Sequence, residues 1–207
     1  MKIVKSSVEL IDPPSYTDLL HKIEQAGRVC YKSEDKIKAG SAEKFVAGII
    51  SRGHEAVIEH GSLTIKFICD RGVSHEIVRH RLAAYCQEST RYCNYSKDKF
   101  GNEITVILPS TIAEDTPAYL EWWRACNAAE NAYFNLLDIG CTPQEARAVL
   151  PNSLKTELVM TADLREIRHF IRLRSSEAAH PDIRVLAKAL LADLKERYPV
   201  FFNDLKE

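Results

Sequence analysis

No two cysteines of this chain form a CxxC pair, and none of the six (positions 30, 69, 86, 93, 126 and 141) has zinc-ribbon spacing. A structural zinc ribbon and a redox dithiol are therefore excluded. Cys69, Cys126 and Cys141 lie in apolar surroundings and are expected to be buried thiols. No apolar run approaches the ~18–20 residues of a membrane span, and the opening MKIVKSSVEL is too short and polar for a signal h-region. A soluble, cytosolic protein with no membrane partner is the expectation. There is also no surplus of positive charge: the formal net charge is −1. Without that surplus, and without an aromatic stacking ladder, a general nucleic-acid binder is not expected. No GxSxG elbow surrounds any serine.

Histidine and glutamate come close to zinc-hydrolase spacing twice and miss both times. His54 and His60 flank Glu55 and Glu59 but are six residues apart, about 240° around a helix. His75-Glu76 and His80 miss the HExxH rule by one residue. No metal site is expected, and at least one histidine of each pair is expected to be a satisfied structural group.

What the chain does have is arginine in one place. Residues 71–184 hold eleven of the fourteen arginines but three of the fourteen lysines. Arginine presents a rigid fork of donors that matches phosphate and carboxylate oxygens two at a time, so this bias points to geometric recognition of anions. The densest part, residues 79–92, reads RHRLAAYCQESTRY. Only Glu88 is at hand to neutralise Arg79, Arg81 and Arg91. If 73–83 is a helix, Arg79 and Arg81 point about 200° apart and reach two different ligands. Ser89, Thr90 and Arg91, in a loop after that helix, offer hydroxyls, backbone N–H groups and a guanidinium to a phosphate.

The periodicities predict an α+β fold: a single domain, 1–207, with a mixed or antiparallel sheet flanked by helices. Strands are expected near 2–5, 8–11, 63–69, 104–108 and 154–161. Helices are expected over 16–31, 41–52 capped by Ser41 and closed by Gly53, 73–83, 117–138, 143–150, 164–175 and 182–197. In 117–138, Tyr119, Leu120, Trp123, Cys126, Tyr133 and Leu137 form the expected inward face. In LREIRHFIRLR, Leu164, Ile167, Ile171 and Arg174 share one face, which predicts that Arg174 is buried and meets an anion there. Arg165, Arg168, His169 and Arg172 are expected on the solvated side. Arg147, wedged among apolar residues in ARAVLP, is expected to be a second inward guanidinium.

RHRLAAYCQESTRY resembles the RHR-x7-S signature of flavin-dependent thymidylate synthases. The resemblance extends to GHEAVIEH before it, CTPQEARAVLP after it, and LREIRHFIRLR followed by AAHPDIR, covering roughly residues 50–190 in order. It implies an enzyme that converts dUMP to dTMP with methylenetetrahydrofolate as carbon donor and NADPH as reductant through bound FAD, in a homotetramer with shared active sites. By the same resemblance Arg79, His80 and Arg81 would contact FAD, Arg79 and Gln87 would touch both FAD and nucleotide, and Ala56 would approach the flavin through its backbone. Asp163, Leu164, Arg165 and His169 would bind FAD from another subunit. Glu76, Gln87, Glu88, Ser89, Thr90, Arg91 and Arg147 would hold dUMP, and Arg174 would be the catalytic group, stabilising ionised N3 of the uracil. One departure stands out: many members carry asparagine at Asp163, and a carboxylate cannot donate a hydrogen bond to the flavin. Altered flavin affinity or reduction rate is the expectation. A nucleic-acid module and a metal-dependent hydrolase are the alternatives; oligonucleotide binding and metal analysis distinguish them.

Overall fold

In a computed structural model, described over residues 1–206, the chain is α+β. In chain order its elements are β1 (Lys2–Val4), β2 (Ser7–Ile11), α1 (Tyr16–Tyr31), α2 (Ser41–Ser51), β3 (Ser62–Asp70), α3 (Arg71–Ile77) and β4 (Ala83–Gln87). There follow β5 (Thr105–Ile107), α4 (Pro117–Asp138), α5 (Pro143–Ala146), β6 (Lys155–Asp163), α6 (Leu164–Arg174), α7 (Pro181–Arg197) and α8 (Pro199–Phe202). No helix of the described residues is long and apolar enough to cross a membrane.

Strands hydrogen-bond in the order β2-β3-β6-β4, and β1 pairs with β5 in parallel, Lys2 opposite Thr105. The two long strands alternate strictly: Leu63, Ile65, Phe67 and Cys69 of β3 are buried, as are Thr156, Leu158, Met160 and Ala162 of β6. That period of two buries one face of each strand. The hydroxyls of Thr64 and Thr161 meet at 3.0 Å, and Leu164 N–H donates to the Gly61 carbonyl at 2.9 Å, the pairing of antiparallel neighbours.

The chain forms two compact units, each drawn from three stretches. One comprises 1–7, 67–79 and 86–158. Its core gathers Ile104, Val106, Cys126, Tyr133, Ala146 and Leu154, with Tyr95 edge-on to Phe100. Helix α4 begins where Thr116 accepts from Tyr119 N–H, with Pro117 in the first turn. The other unit comprises 8–66, 80–85 and 159–207. Here α1 packs on α2, and α6 packs on α7 and on the 3₁₀ turn Glu55–His60. Gly61 allows the closest approach: a Cβ there would lie 2.8 Å from Leu19 Cδ1 and 2.9 Å from Leu164 Cδ1.

Several expectations are corrected. Ser41 does not cap α2: Gly40 occupies the cap, while Ser41 Oγ accepts from Lys38 N–H and donates to Glu24 and the Lys38 carbonyl. Leu120 and Trp123 are not inward; both are exposed, because the buried stripe of α4 runs through Cys126, Glu130 and Tyr133. Cys141 is half-buried, unlike Cys69 and Cys126. The third helix stops at Ile77, so the RHR segment is not helical, and β4 separates it from Ser89.

Candidate functional site

Within the second unit, the site begins at the N-terminus of α6. Asp163 caps that helix, its carboxylate accepting from Glu166 N–H at 2.8 Å. Leu164 is fully buried and its N–H is committed to Gly61, so its backbone donor is spent inside the fold. Arg165 pairs with Glu59 at 2.5 Å on the surface.

The buried guanidinium of α6 is Arg168, not Arg174. Arg168 is 1% exposed and grips Asp204 through both terminal nitrogens, at 2.7 and 2.6 Å. It also donates to Glu55 and to the Phe201 carbonyl. Glu55 is shared with Arg172 at 2.8 Å, and the Arg172 hydrogen bond, then the Arg168 charge, holds its carboxyl below the usual range. The anion demanded by a buried arginine is thus met by this chain itself. Arg168 lies one position from Ile167 and three from Ile171, so the helical stripe is wide enough to include it.

Arg174 is half-buried and serves a different group. Its Nε donates to His80 Nε2 at 3.1 Å, while His80 Nδ1 lies 2.9 Å from Glu166 Oε1. A guanidinium only donates, so His80 Nε2 must accept and Nδ1 carries the proton toward Glu166. Burial pushes the His80 pKa down, against the opposing effect of the Glu166 hydrogen bond, and the ring is neutral at pH 7. The Tyr85 hydroxyl donates to the His80 carbonyl at 2.6 Å. Held at ring and carbonyl, His80 cannot continue α3, which accounts for the early end of that helix. His169 packs on His80 with ring centroids 5.4 Å apart. The ligand atoms of His80, Glu166 and His169 lie within 4.8 Å of one another. With Arg174 on one ring nitrogen of His80 and Glu166 on the other, the arrangement is a hydrogen-bond relay. Glu166 was missed in the sequence; its i, i+3 spacing from Asp163 was the available signal. Arg81 and Ala56 are exposed in this unit, and Arg81 has no carboxylate partner among the described residues.

In the first unit, Gln87 spends both amide hydrogens on Ser74 Oγ (2.9 Å) and Thr156 Oγ1 (3.2 Å), leaving its carbonyl oxygen. Glu88 is taken up internally, accepting from Lys155 Nζ at 2.9 Å and the Tyr95 hydroxyl at 3.2 Å. The basic cluster is therefore even poorer in anions than its sequence implies. Ser89 Oγ accepts from Arg91 N–H, and Arg91 Nε donates to Gln144, a neutral partner. Arg147 is exposed rather than inward, and donates weakly to the buried Thr90 hydroxyl at 3.4 Å. Its apolar neighbours turn away because 147–149 form a 3₁₀ turn and not a continuous helix. Arg79 is exposed just past α3, its N–H on the Glu76 carbonyl, and has no carboxylate partner among the described residues.

A cavity of about 500 Å³ opens beside Arg147 and Thr90, and no carboxylate lines it. Arg71 and His75 also line it. Neither was singled out in the sequence, although one helical turn separates them, which puts both on one side of α3.

The chain matches the family described as thymidylate synthase complementing protein over residues 14–200. It is 35% identical over 186 residues to a flavin-dependent thymidylate synthase of Geobacter sulfurreducens, covering 86% of this chain and 78% of the relative. A protein of the same description from Pyrococcus furiosus is 32% identical over 167 residues, 80% of this chain and 68% of its own length. Among solved structures, a UMP/dUMP methylase, PolB, from Streptomyces cacaoi, bound with 5-Br dUMP, superposes with a TM-score of 0.79. That match covers 98% of this chain and 96% of the other at 24% identity, a likeness of fold.

Proposed function

The chain belongs to the thymidylate synthase complementing protein family, whose relatives named above are flavin-dependent thymidylate synthases, and from that premise we propose that it methylates dUMP to dTMP. The carbon donor is methylenetetrahydrofolate, the reductant NADPH, and the cofactor FAD, in a homotetramer that shares its active sites.

One observation carries this reading beyond family membership: the signature arginines lack anions. Among the described residues Arg79 and Arg81 meet no carboxylate, and Arg91 and Arg147 meet only neutral side chains. The carboxylate-free cavity beside Arg147 suits the phosphate of a nucleotide. By the family resemblance, the exposed Arg79 and Arg81 would each contact FAD. The bound flavin supplies two-electron redox chemistry that amino-acid side chains lack. The protein binds and orients around it. Arg147, Arg91 and the Ser89 and Thr90 hydroxyls hold the nucleotide phosphate. Arg174, whose Nε donates to His80, is the group the family resemblance assigns to the uracil, where positive charge would stabilise an ionised N3 and make C5 nucleophilic. Ser89 binds and does not attack.

The test is an absorption spectrum of the purified protein, followed by anaerobic NADPH addition with and without dUMP, and tritium release from 5-tritiated dUMP. A yellow protein that bleaches faster with dUMP and releases tritium only with methylenetetrahydrofolate is the expected result. A protein that cannot be reconstituted with FAD, or that releases no tritium when flavin-loaded, would overturn the reading.

A further inference from the structure

A further cavity lies apart from the residues of the proposed site, within the second unit, between the end of α1, the turn at 34–40 and α2. It measures about 680 Å³ and is lined by Arg28, Lys36, Lys38, Lys44 and Arg52 against a single carboxylate, Asp35. Arg28 is already satisfied: Glu24 accepts from its Nε and a terminal nitrogen at 3.1 and 2.8 Å, and its guanidinium lies 4.2 Å from the Phe45 ring. The other four cations have no carboxylate within ion-pair distance among the described residues. Elsewhere in the unit arginines are matched, as in Arg165–Glu59, Arg168–Asp204, Arg184–Glu177 and Arg197–Asp193. Four cations left without a carboxylate around one cavity point to an anion from outside.

The geometry narrows the kind of anion. The four cations sit on different elements, two on the turn, one inside α2 and one at its end. Gly48 leaves room for the Arg52 guanidinium to fold back on the helix; a Cβ there would stand 3.2 Å from it. The glycine cap of α2 adds first-turn N–H groups that no side chain caps. No single anion can satisfy charges spread in this way, whereas a flexible chain of anions can. Three of the four are lysines, mobile point charges on flexible stems, in contrast to the rigid forks of the arginines around Thr90. A flexible run of spaced anions is their complement, and beside a folate-dependent site that run is one of carboxylates.

The cavity also borders the segment assigned to the flavin. Phe45, on its wall, packs edge-on against Tyr31 at 6.4 Å; Tyr31 stacks on His54 at 6.5 Å and shares a 2.7 Å hydrogen bond with its Nδ1. Ala56 is two residues further on. We propose that this cavity binds an oligocarboxylate, the γ-linked glutamate tail of the reduced-folate co-substrate. The inference rests on the folate-dependent reading above.

Two measurements on the full flavin-loaded chain test it. Calorimetric titration with free γ-linked tetraglutamate is expected to show saturable binding at low ionic strength. That binding is expected to weaken at least about tenfold near 0.5 M salt, where the screening length is a few ångströms, and to vanish in Lys38→Glu/Lys44→Glu. In turnover, the pentaglutamyl co-substrate is expected to have a KM about tenfold below the monoglutamyl form. The double variant is expected to abolish that difference and leave the KM for dUMP unchanged. No tetraglutamate binding, equal binding by the variant, or preference for tripolyphosphate over tetraglutamate would overturn the assignment. If neither folate form supports turnover, the folate reading fails, and the titration still decides what the cavity binds.

Discussion

Replacing Arg168 by alanine removes the donors for Asp204, Glu55 and the Phe201 carbonyl at once. Removing one partner of a buried ion pair costs about 3–5 kcal/mol. The lower end applies here, because the Asp204 side chain is 48% exposed and can rehydrate. Glu55 also keeps Arg172. At roughly 2–4 °C per kcal/mol for a chain of this size, about 3 kcal/mol lowers Tm by about 6–12 °C. Arg172→Ala is the matched control: it faces the same carboxylate from a side chain that is 47% exposed, and exposed pairs contribute about 0–1 kcal/mol. Thermal and guanidinium unfolding of the two variants, followed by helix content, is the assay. The Arg168 hydrogen bond lowers the Asp204 pKa from 3.8, and that of Arg172 lowers the Glu55 pKa from 4.5. Stability from a depressed carboxyl is full above its unfolded value and is lost as pH falls through the folded one. The gap between wild type and Arg168→Ala is therefore expected to close in acid below about pH 4. Equal losses in the two variants, or a gap that widens in acid, would refute the placement of Arg168 as the buried anchor.

Three further perturbations follow from the same geometry. Glu166→Gln keeps an acceptor for His80 Nδ1 but removes the charge that raises the His80 pKa, so an NMR titration of His80 should move lower still, while kcat falls about tenfold through looser orientation of Arg174. Because folding depresses the His80 pKa below 6.5, its contribution to stability is full at neutral pH and declines as pH falls below 6.5; a titration showing His80 charged in the fold at pH 7 would contradict this. Asp163→Asn preserves the α6 cap to within about a few tenths of a kcal/mol, whereas Asp163→Ala costs about 0.5–2 kcal/mol; a change in flavin affinity or reduction rate in the asparagine variant then reports on the carboxylate and not on the helix. Gly61→Ala forces a methyl against Leu19 and Leu164 and should destabilise by about 1–3 kcal/mol in denaturant titration.

Elements with both termini marked were legible in the sequence. Helix α4 runs Pro117–Asp138 over the range expected, with the Thr116 cap and Pro117 at its start, and α1 is bounded at Tyr16 and Tyr31 by the Ser15 cap and a left-handed Lys32. The misreadings occur where a tertiary partner overrides local pattern. Residues 78–83 carry helix-compatible side chains, yet Glu166 holds the His80 ring from eighty-six residues away, and the Tyr85 hydroxyl fixes its carbonyl. Arg168 looked solvent-facing because its main partner, Asp204, lies thirty-six residues downstream in a segment with no motif. Arg71 and His75 were illegible for a related reason: only the fold brings α3 beside Arg147. Long-range neutralisation of charge cannot be read from a window of sequence, and in this protein it separates arginines matched by a carboxylate from those left without one.

That separation bears on the near-zero net charge. A formal charge of −1 is the sum of a self-neutralised part, two zones that lack anions and an acidic excess elsewhere. On α6, Arg165, Arg168 and Arg172 are each matched by a glutamate of the 55–60 turn, with Asp204 also on Arg168. In the signature and around Thr90 the guanidiniums meet neutral groups or none, and around α2 the lysines likewise. A binding site responds to the field of its nearest charges, because those beyond about 8–10 Å are screened. An acidic excess elsewhere on the chain therefore does not weaken either zone. The two zones also differ in the chemistry of their cations, rigid forks in one and mobile point charges in the other. Swapping them is the direct consequence to examine: Arg147→Lys should weaken nucleotide binding through lost fork geometry, whereas Lys44→Arg should leave tetraglutamate binding intact.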